Sequence, residues 1–148
     1  MAAACAETGA DLYPITQALF DTNTMTKLKL QSWMVENATF LCGGRAAVCA
    51  IPKRLEATVT KDALEGIPGF LRSIDGVKIS ATIRESEDGG SKMSVRAVPG
   101  CDAAQGCAKF GGGGHKGAAG ACVALSLEEA ADAGAQALSE VVEGGVDG

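Results

Sequence analysis

The chain has 148 residues, of which 47% are hydrophobic and 21% charged, and its net charge is −5. This length allows one compact domain with its own core but not two ordinary domains. The acidic balance argues against a general nucleic-acid coat protein. The single histidine argues against a complete di-metal phosphoesterase, which usually needs more than one imidazole ligand.

The N-terminal quarter is predicted to be a tail followed by helices. Residues 1–10 are small and polar and lack the basic start and apolar run of a signal peptide, so we expect a disordered tail and a cytoplasmic protein. Apolar residues recur at helical spacing over residues 11–36, with a turn and a new N-cap at Thr22-Asn23-Thr24. No apolar stretch approaches a membrane span, so no membrane partner is expected. The six cysteines lack zinc-site spacing and are expected to be reduced thiols.

A hairpin and two short helical segments are predicted next. Residues 38–41 and 45–51 are typical of strands, and Gly43-Gly44 between them indicates a hairpin turn. Residues 53–71 contain the two helical segments, separated by a break at 66–69, where two glycines flank Ile-Pro.

The clearest pattern is a pair of alternating strands, at residues 77–84 and 92–98. Two adjacent antiparallel strands turn their apolar faces to the same core, so the polar side chains must share the other face. That face holds Arg84 and Arg96, with Ser80, Thr82 and Ser94 beside them. Solvated surface arginines are the simpler interpretation, and the segment that follows weakens it.

Residues 110–120 read Phe-Gly-Gly-Gly-Gly-His-Lys-Gly-Ala-Ala-Gly, between a short helix capped by Asp102 and a strand of small residues. Glycines let backbone N–H groups turn toward an anion in conformations that other residues resist. The histidine adds a ring that can carry a proton, and the lysine adds a fixed positive charge. A flexible connector is the alternative interpretation. The residues predicted to bind a phosphate or a nucleotide end are Arg84, Arg96, Gly111, Gly112, Gly113, Gly114, His115 and Lys116.

The C-terminal part is predicted to be one helix. Ser126 and Glu129 match a capping box, and Gly144-Gly145 marks the end of the helix, with residues 144–148 as a loose tail. Strands interleaved with helices in this order predict a single α/β domain with a central mixed sheet of about five strands flanked by helices.

Several of these segments resemble the C-terminal DHH-associated domain of the DHH phosphoesterases. The segments that carry the resemblance are Ile83-Arg84-Glu85, Met93 to Arg96, Asp102, Phe110 to Gly120 and, before the strands, Gly69 to Gly76. The nanoRNase and phosphoadenosine-phosphate phosphatase branch is the most similar, with cyclic-dinucleotide phosphodiesterases and RecJ-type exonucleases as cousins. The resemblance implies that residues 37–143 form a substrate-binding domain and residues 11–36 a linker toward a catalytic domain.

In that family, the catalytic domain holds two manganese ions through aspartates and an Asp-His-His motif, which this chain lacks. The resemblance therefore implies no cofactor in this chain, Mn²⁺ in a catalytic DHH domain supplied in cis or in trans, and possible pairing of two copies. It further implies that Gly112 to His115 grip a terminal nucleotide and its phosphate, with His115 toward the scissile phosphate, and that Arg84 and Arg96 contact phosphate or base.

The expected ligand is a short single-stranded nucleic acid or a nucleotide phosphate, and the sequence leaves its identity open. Three alternatives also stay open. In the first, the chain is a stand-alone nucleotide-binding module without hydrolysis. In the second, it is the lobe of a cyclic-dinucleotide phosphodiesterase, and in the third, a structural domain whose glycine loop binds nothing.

Overall fold

A computed structural model of the chain describes residues 23–145 and Pro14. The predicted tail at 1–10, most of the linker before Asn23 and the last three residues lie outside the described residues. Within them, a six-stranded mixed sheet has the order β1-β2-β3-β4-β6-β5. The strands are β1 (Thr39–Leu41), β2 (Ala46–Ile51), β3 (Ile79–Glu85), β4 (Ser91–Ala97), β5 (Gly113–Gly114) and β6 (Ala118–Val123). This confirms the predicted α/β class, with the two-residue β5 as the strand beyond the expected five.

Six α-helices accompany the sheet in the described part of the chain. They are α1 (Met25–Asn37), α2 (Lys53–Glu56), α3 (Lys61–Glu65), α4 (Ile67–Phe70), α5 (Ala103–Ala108) and α6 (Leu127–Gly144). The predicted break at 66–69 is instead occupied by α4, which begins directly after Gly66 at the end of α3 and has Pro68 in its first turn. The first turn tolerates proline because its N–H groups have no partner within the helix. None of these helices is long and apolar enough to cross a membrane.

The sheet carries a hydrophobic core on each face. On one face, α5 and α6 pack against side chains such as Ile79, Ile83 and Met93, all fully buried. On the other face, α1 and the α3–α4 segment cover β2 and β3, with Leu30 and Leu71 at the centre. The second core follows from topology. Because β2 and β3 run parallel, the chain between them must cross over one face of the sheet.

The crossover covers only half of that second face. The side chains of β4 and β6 that point to this side are all at least partly exposed, whereas Met93 and Val95, on the opposite side of β4, are completely buried. We call this uncovered surface the open face. It consists of Lys92, Ser94 and Arg96 of β4, and Ala118, Gly120 and Cys122 of β6, which pair with them across the two strands.

The N-terminus of α6 is closed by the predicted capping box. The Ser126 hydroxyl accepts a hydrogen bond from the Glu129 N–H (3.2 Å), and the Glu129 carboxylate accepts one from the Ser126 N–H (3.0 Å). The backbone hydrogen bond, followed by the contact with the Ser126 side chain, lowers the pKa of Glu129. We expect Ser126→Ala to lower the free energy of unfolding by about 1 kcal/mol, as measured by urea unfolding at neutral pH.

The contribution of the Glu129 carboxylate to stability should depend on pH. Because the pKa of Glu129 is lowered in the folded chain, its stabilising contribution exists above the ordinary carboxyl pKa and disappears as the pH falls through the lowered one. Ser126→Ala keeps the backbone N–H that binds the carboxylate, so Glu129→Gln is the variant whose stability difference from the unaltered chain should shrink in acid. Ser32→Ala, at an exposed position within α1, serves as the control and should change stability by less than about 0.5 kcal/mol. A difference between Glu129→Gln and the unaltered chain that stays constant down to strongly acidic pH would contradict the capping role of the Glu129 carboxylate.

Candidate functional site

The glycine run begins as a helix terminator. Gly111 adopts a left-handed conformation, with φ of 71°. The Gly112 N–H donates to the Cys107 carbonyl and the Gly111 N–H to the Ala108 carbonyl, both at 3.1 Å. These two bonds form a Schellman motif, in which a left-handed residue is usually glycine. The first glycine of the run therefore ends α5 and turns the chain back toward β6.

Two further glycines are required by close packing of β5 against β6. A Cβ on Gly112 would lie 2.3 Å from the Gly120 carbonyl oxygen and 2.5 Å from the Ala121 Cβ. A Cβ on Gly114 would lie 2.5 Å from the Ala118 carbonyl oxygen, and its φ of 151° also disfavours side chains. At these distances the backbone itself would have to move.

Gly113 differs from its neighbours. No described atom lies within 4 Å of a Cβ built on it, and its φ is outside the left-handed region. Its partner across the strands is Gly120, where an added Cβ would meet the Met93 carbonyl oxygen at 3.4 Å, an ordinary contact. Both residues lie on the side of the open face. The protein's own packing therefore gives no reason for glycine at 113, and a bound molecule that approaches the backbone closely would give one.

The tip of the loop is a tight hairpin fixed on two sides. His115 and Ala118 exchange backbone hydrogen bonds of 2.8 and 3.2 Å around the two-residue turn Lys116-Gly117. The Lys116 carbonyl accepts from the Ala103 N–H at 2.7 Å, which ties the tip to α5. The His115 and Lys116 side chains are exposed. The backbone is thus held in place while the two chemically active side chains remain accessible.

The edge of β5 also offers backbone polar groups. Because His115 and Ala118 form a hydrogen-bonded pair, alternation directs the N–H and C=O of Gly114 away from β6. Such groups on an edge strand are ready partners for a ligand or another chain.

The structure confirms that Arg84 and Arg96 share one face of the sheet but separates them along it. Arg96 lies opposite Ala118 at the loop end of the open face, and its Nη1 donates to the Val95 carbonyl at 2.9 Å. Arg84 pairs with Lys92, four positions further along β3, a displacement of about 13 Å at the usual strand rise. Only Arg96 is therefore placed beside the glycine loop.

Arg84 is engaged in an ion pair that sequence reasoning missed. Its Nε donates to Glu56 Oε1 at 3.0 Å and its Nη2 to Glu56 Oε2 at 2.8 Å. The hydrogen bond to Glu56 is the main cause that raises the Arg84 pKa above its ordinary value, against a smaller opposing effect of burial. Glu56 lies in a four-residue helix at a sequence separation of 28, and no periodicity signals such a contact.

The polar side chains beside the arginines are less accessible than predicted. Ser80 and Thr82 are 0% and 1% exposed, because the α4 segment covers this part of β3. Their hydroxyl oxygens have no hydrogen-bond partner among the described residues. Ser94, opposite Thr82 on β4, remains half-buried on the open face.

Two other cations near the site, Lys109 and Lys92, lie on opposite sides of the sheet. Lys109 forms an ion pair with Glu140 of α6, on the helix-covered side, and so lies away from the open face. Lys92 is exposed at the far end of the open face, next to Cys122. The alternation of β4 places Lys92 on the same face as Arg96.

Manganese does not fit the described residues. Between residues 23 and 145, no three His, Cys, Asp or Glu side chains are close enough together to hold a metal ion. The five described cysteines are free thiols, and burial raises the pKa of Cys49 to about 11, which disfavours the thiolate form that binds metals. We therefore derive no metal-dependent step from these residues.

Comparison with known proteins identifies relatives over most of the chain. The DHHA1 domain family matches residues 43–144. The bifunctional oligoribonuclease and PAP phosphatase NrnA of Thermus thermophilus is 30% identical over 113 residues, which cover 76% of this chain. That match spans 34% of NrnA, about a third of the length of this relative.

Two solved structures share the fold. An exopolyphosphatase-related protein from Bacteroides fragilis superimposes with a TM-score of 0.78 at 26% identity, covering 91% of this chain and 40% of the other. The pGpG-specific phosphodiesterase PggH of Vibrio cholerae superimposes with a TM-score of 0.56 at 14% identity, over 80% of this chain and 39% of the other. The second similarity concerns the fold alone.

Proposed function

The chain belongs to the DHHA1 domain family, and we propose that it binds the substrate of a manganese-dependent DHH phosphoesterase that hydrolyses short oligonucleotides or phosphoadenosine phosphate. The Thermus relative is a bifunctional oligoribonuclease and PAP phosphatase, which supports this substrate class. The catalytic DHH domain, in cis or in trans, is the partner that the proposal requires. Mn²⁺ belongs to that domain in this proposal.

The observation that carries the proposal is the glycine at position 113. The described contacts do not require glycine there, yet it lies on the side of the open face, two positions before His115, whose partner Ala118 pairs with Arg96. A floor of small residues flanked by a cation and an imidazole suits a flat nucleotide with a terminal phosphate. Arg96, His115 and the outward N–H of Gly114 are the proposed phosphate contacts.

This chain would contribute positioning and charge neutralisation. Its loop is fixed by backbone hydrogen bonds before a ligand arrives, so little conformational entropy is lost on binding. A phosphate held between Arg96 and His115 would be oriented with much of its charge compensated. Orientation of this kind is a large part of catalysis when the reacting groups come from another domain.

Calorimetric titration tests the proposal. The purified chain is titrated with adenosine 5′-monophosphate and with a short oligoadenylate at several salt concentrations. We expect Arg96→Gln to lower the affinity about fivefold and to reduce the salt dependence, because one phosphate contact and its released counterion are lost. Lys109→Gln removes a cation from the opposite side of the sheet and should change neither quantity. Equal behaviour of the two variants would argue that Arg96 acts only through the overall charge.

A second candidate function is a nucleotide-binding module without hydrolysis, and the preformed loop favours it because the loop's conformation rests on contacts within this chain. The two functions are separated by adding Mn²⁺ and a separately expressed DHH domain to the chain. Hydrolysis of the oligoadenylate supports the first function. Binding without hydrolysis supports the second.

A further inference from the structure

The Arg84–Glu56 pair is fixed from two directions. The two side chains meet through two parallel hydrogen bonds, with Glu56 only 15% and Arg84 34% exposed. The adjacent Glu85 accepts a hydrogen bond from the Lys53 N–H at 2.8 Å, at the first residue of α2. Consecutive residues of β3 thus hold both ends of the short helix that carries Glu56. The orientation of the guanidinium is therefore set before any ligand binds.

The pair leaves a defined set of donors available. A guanidinium has five N–H groups, and Glu56 takes one from Nε and one from Nη2. One hydrogen of Nη1 and the second hydrogen of Nη2 form the end edge of the guanidinium, which has two parallel donors, and the other Nη1 hydrogen points back toward Cδ. The Glu56 carboxylate compensates the charge of Arg84, so this edge keeps its hydrogen-bonding geometry and loses most of its preference for an anion.

Two parallel donors with a compensated charge match a neutral group that has two adjacent acceptors. Guanine has this arrangement at O6 and N7, whereas adenine places an N6 donor beside its N7 acceptor. We infer that Arg84 recognises the edge of a guanine base, with Glu56 as its positioning residue, while Arg96 and the glycine loop hold phosphate. This inference rests on the proposed function and revises the role of Arg84 within it.

The position of the Arg84–Glu56 pair agrees with a base contact at Arg84 and phosphate contacts at Arg96 and the glycine loop. Arg84 lies about 13 Å along the sheet from the row of Arg96, so the two arginines are placed to contact different parts of one ligand. Its register partner Lys92 is exposed and has no ion pair within the described range. Lys92 is therefore the residue at this end of the open face that suits a second phosphate, which leaves the Arg84 edge for a base.

The experiment compares 5′-phosphorylated guanosine and adenosine dinucleotides, pGpG and pApA, by calorimetry at several salt concentrations. We expect the unaltered chain to bind pGpG about tenfold more tightly. The double variant Arg84→Gln with Glu56→Gln removes both charges and leaves the net charge unchanged, and it avoids an unpaired half-buried charge. It should lower the pGpG affinity to that of pApA without altering either salt dependence. Arg96→Gln, the matched variant, should weaken both ligands equally and reduce both salt dependences.

A second variant keeps the experiment decisive if the double variant unfolds. Arg84→Lys retains the charge and a contact with Glu56 but lacks the planar pair of donors, so it should lose the preference for guanine and keep pApA binding. Equal affinities in the unaltered chain would overturn the inference. The inference would also be overturned if the double variant lost the same affinity for both ligands and the slope of log affinity against log salt concentration fell by about 0.7. That value corresponds to one phosphate contact on a single strand. Either result would leave the proposed function standing, whereas no binding of either ligand by the unaltered chain would remove the proposed function and this inference together.

Discussion

Gly112→Ala is expected to destabilise the folded chain, whereas Gly113→Ala should fold normally and lose ligand affinity. At Gly112 the new Cβ meets backbone atoms 2.3 and 2.8 Å away, which cannot move without separating β5 from β6. Forced overpacking of this kind costs about 1–3 kcal/mol. At Gly113 the new methyl group enters free space in the described structure. It would stand where the proposal puts the ligand, and we expect about a tenfold loss of affinity, which corresponds to about 1.4 kcal/mol.

Urea unfolding and calorimetric titration with adenosine 5′-monophosphate measure the two effects separately. Gly69→Ala is the control, because this glycine in α4 also has no described atom within 4 Å of an added Cβ and has an ordinary φ. Gly69 lies outside the candidate site, so Gly69→Ala should lower neither the free energy of unfolding nor the affinity. Full stability of Gly112→Ala would show that close packing does not fix the loop. Unchanged affinity of Gly113→Ala would remove the open face from the binding site.

The parts of the fold that could be predicted from the sequence are those specified by local patterns. Strict alternation in β3 and β4 places Arg84 and Arg96 on one face, since a side chain's face in a strand depends only on its position. The capping residues Asp102 and Ser126 were likewise recognisable, because a cap acts on backbone groups two or three residues away.

The features that the sequence did not reveal depend on distant segments. Alternation indicates which face of β3 is polar but not whether another segment covers it, and α4 buries Ser80 and Thr82 there. The strand β5 has two residues, both glycine, so it has neither alternation nor β propensity to indicate it. Glu56 reaches Arg84 only because α2 folds back against β3.

The candidate site also combines features that a local sequence pattern reveals with features that depend on distant segments. The glycine run was recognisable as a whole, but its members have different roles that only the contacts distinguish. Gly111 ends a helix, Gly112 and Gly114 allow two strands to approach, and Gly113 leaves space on the open face. A sequence pattern shows that glycine is present, whereas the structure shows which glycines the fold itself requires. Within this run, Gly113 is the glycine that the described contacts do not require, and its position beside His115 on the side of the open face is what points to a ligand.

His115→Ala should reduce the affinity for a nucleotide phosphate about ten- to a hundredfold, because a hydrogen bond to a charged group contributes about 1.5–3 kcal/mol. The fold should tolerate the change. His115 holds the hairpin through its backbone N–H and C=O, which alanine retains, and its side chain is exposed. The free energy of unfolding should therefore change by less than about 0.5 kcal/mol. Calorimetry with adenosine 5′-monophosphate and urea unfolding of the same preparations measure the two quantities.

Lys116→Ala is the matched control, since Lys116 is the next residue, is equally exposed and also contributes to the tip through its backbone carbonyl. It removes a positive charge near the site, and we expect only about a twofold loss that disappears at high salt, because exposed charges are screened within about 10 Å at 0.1 M. The His115 effect should persist at high salt if the ring contacts the phosphate directly. Equal, salt-sensitive losses in the two variants would assign His115 to the general field of the loop, and a parallel loss of stability in His115→Ala would make its role structural.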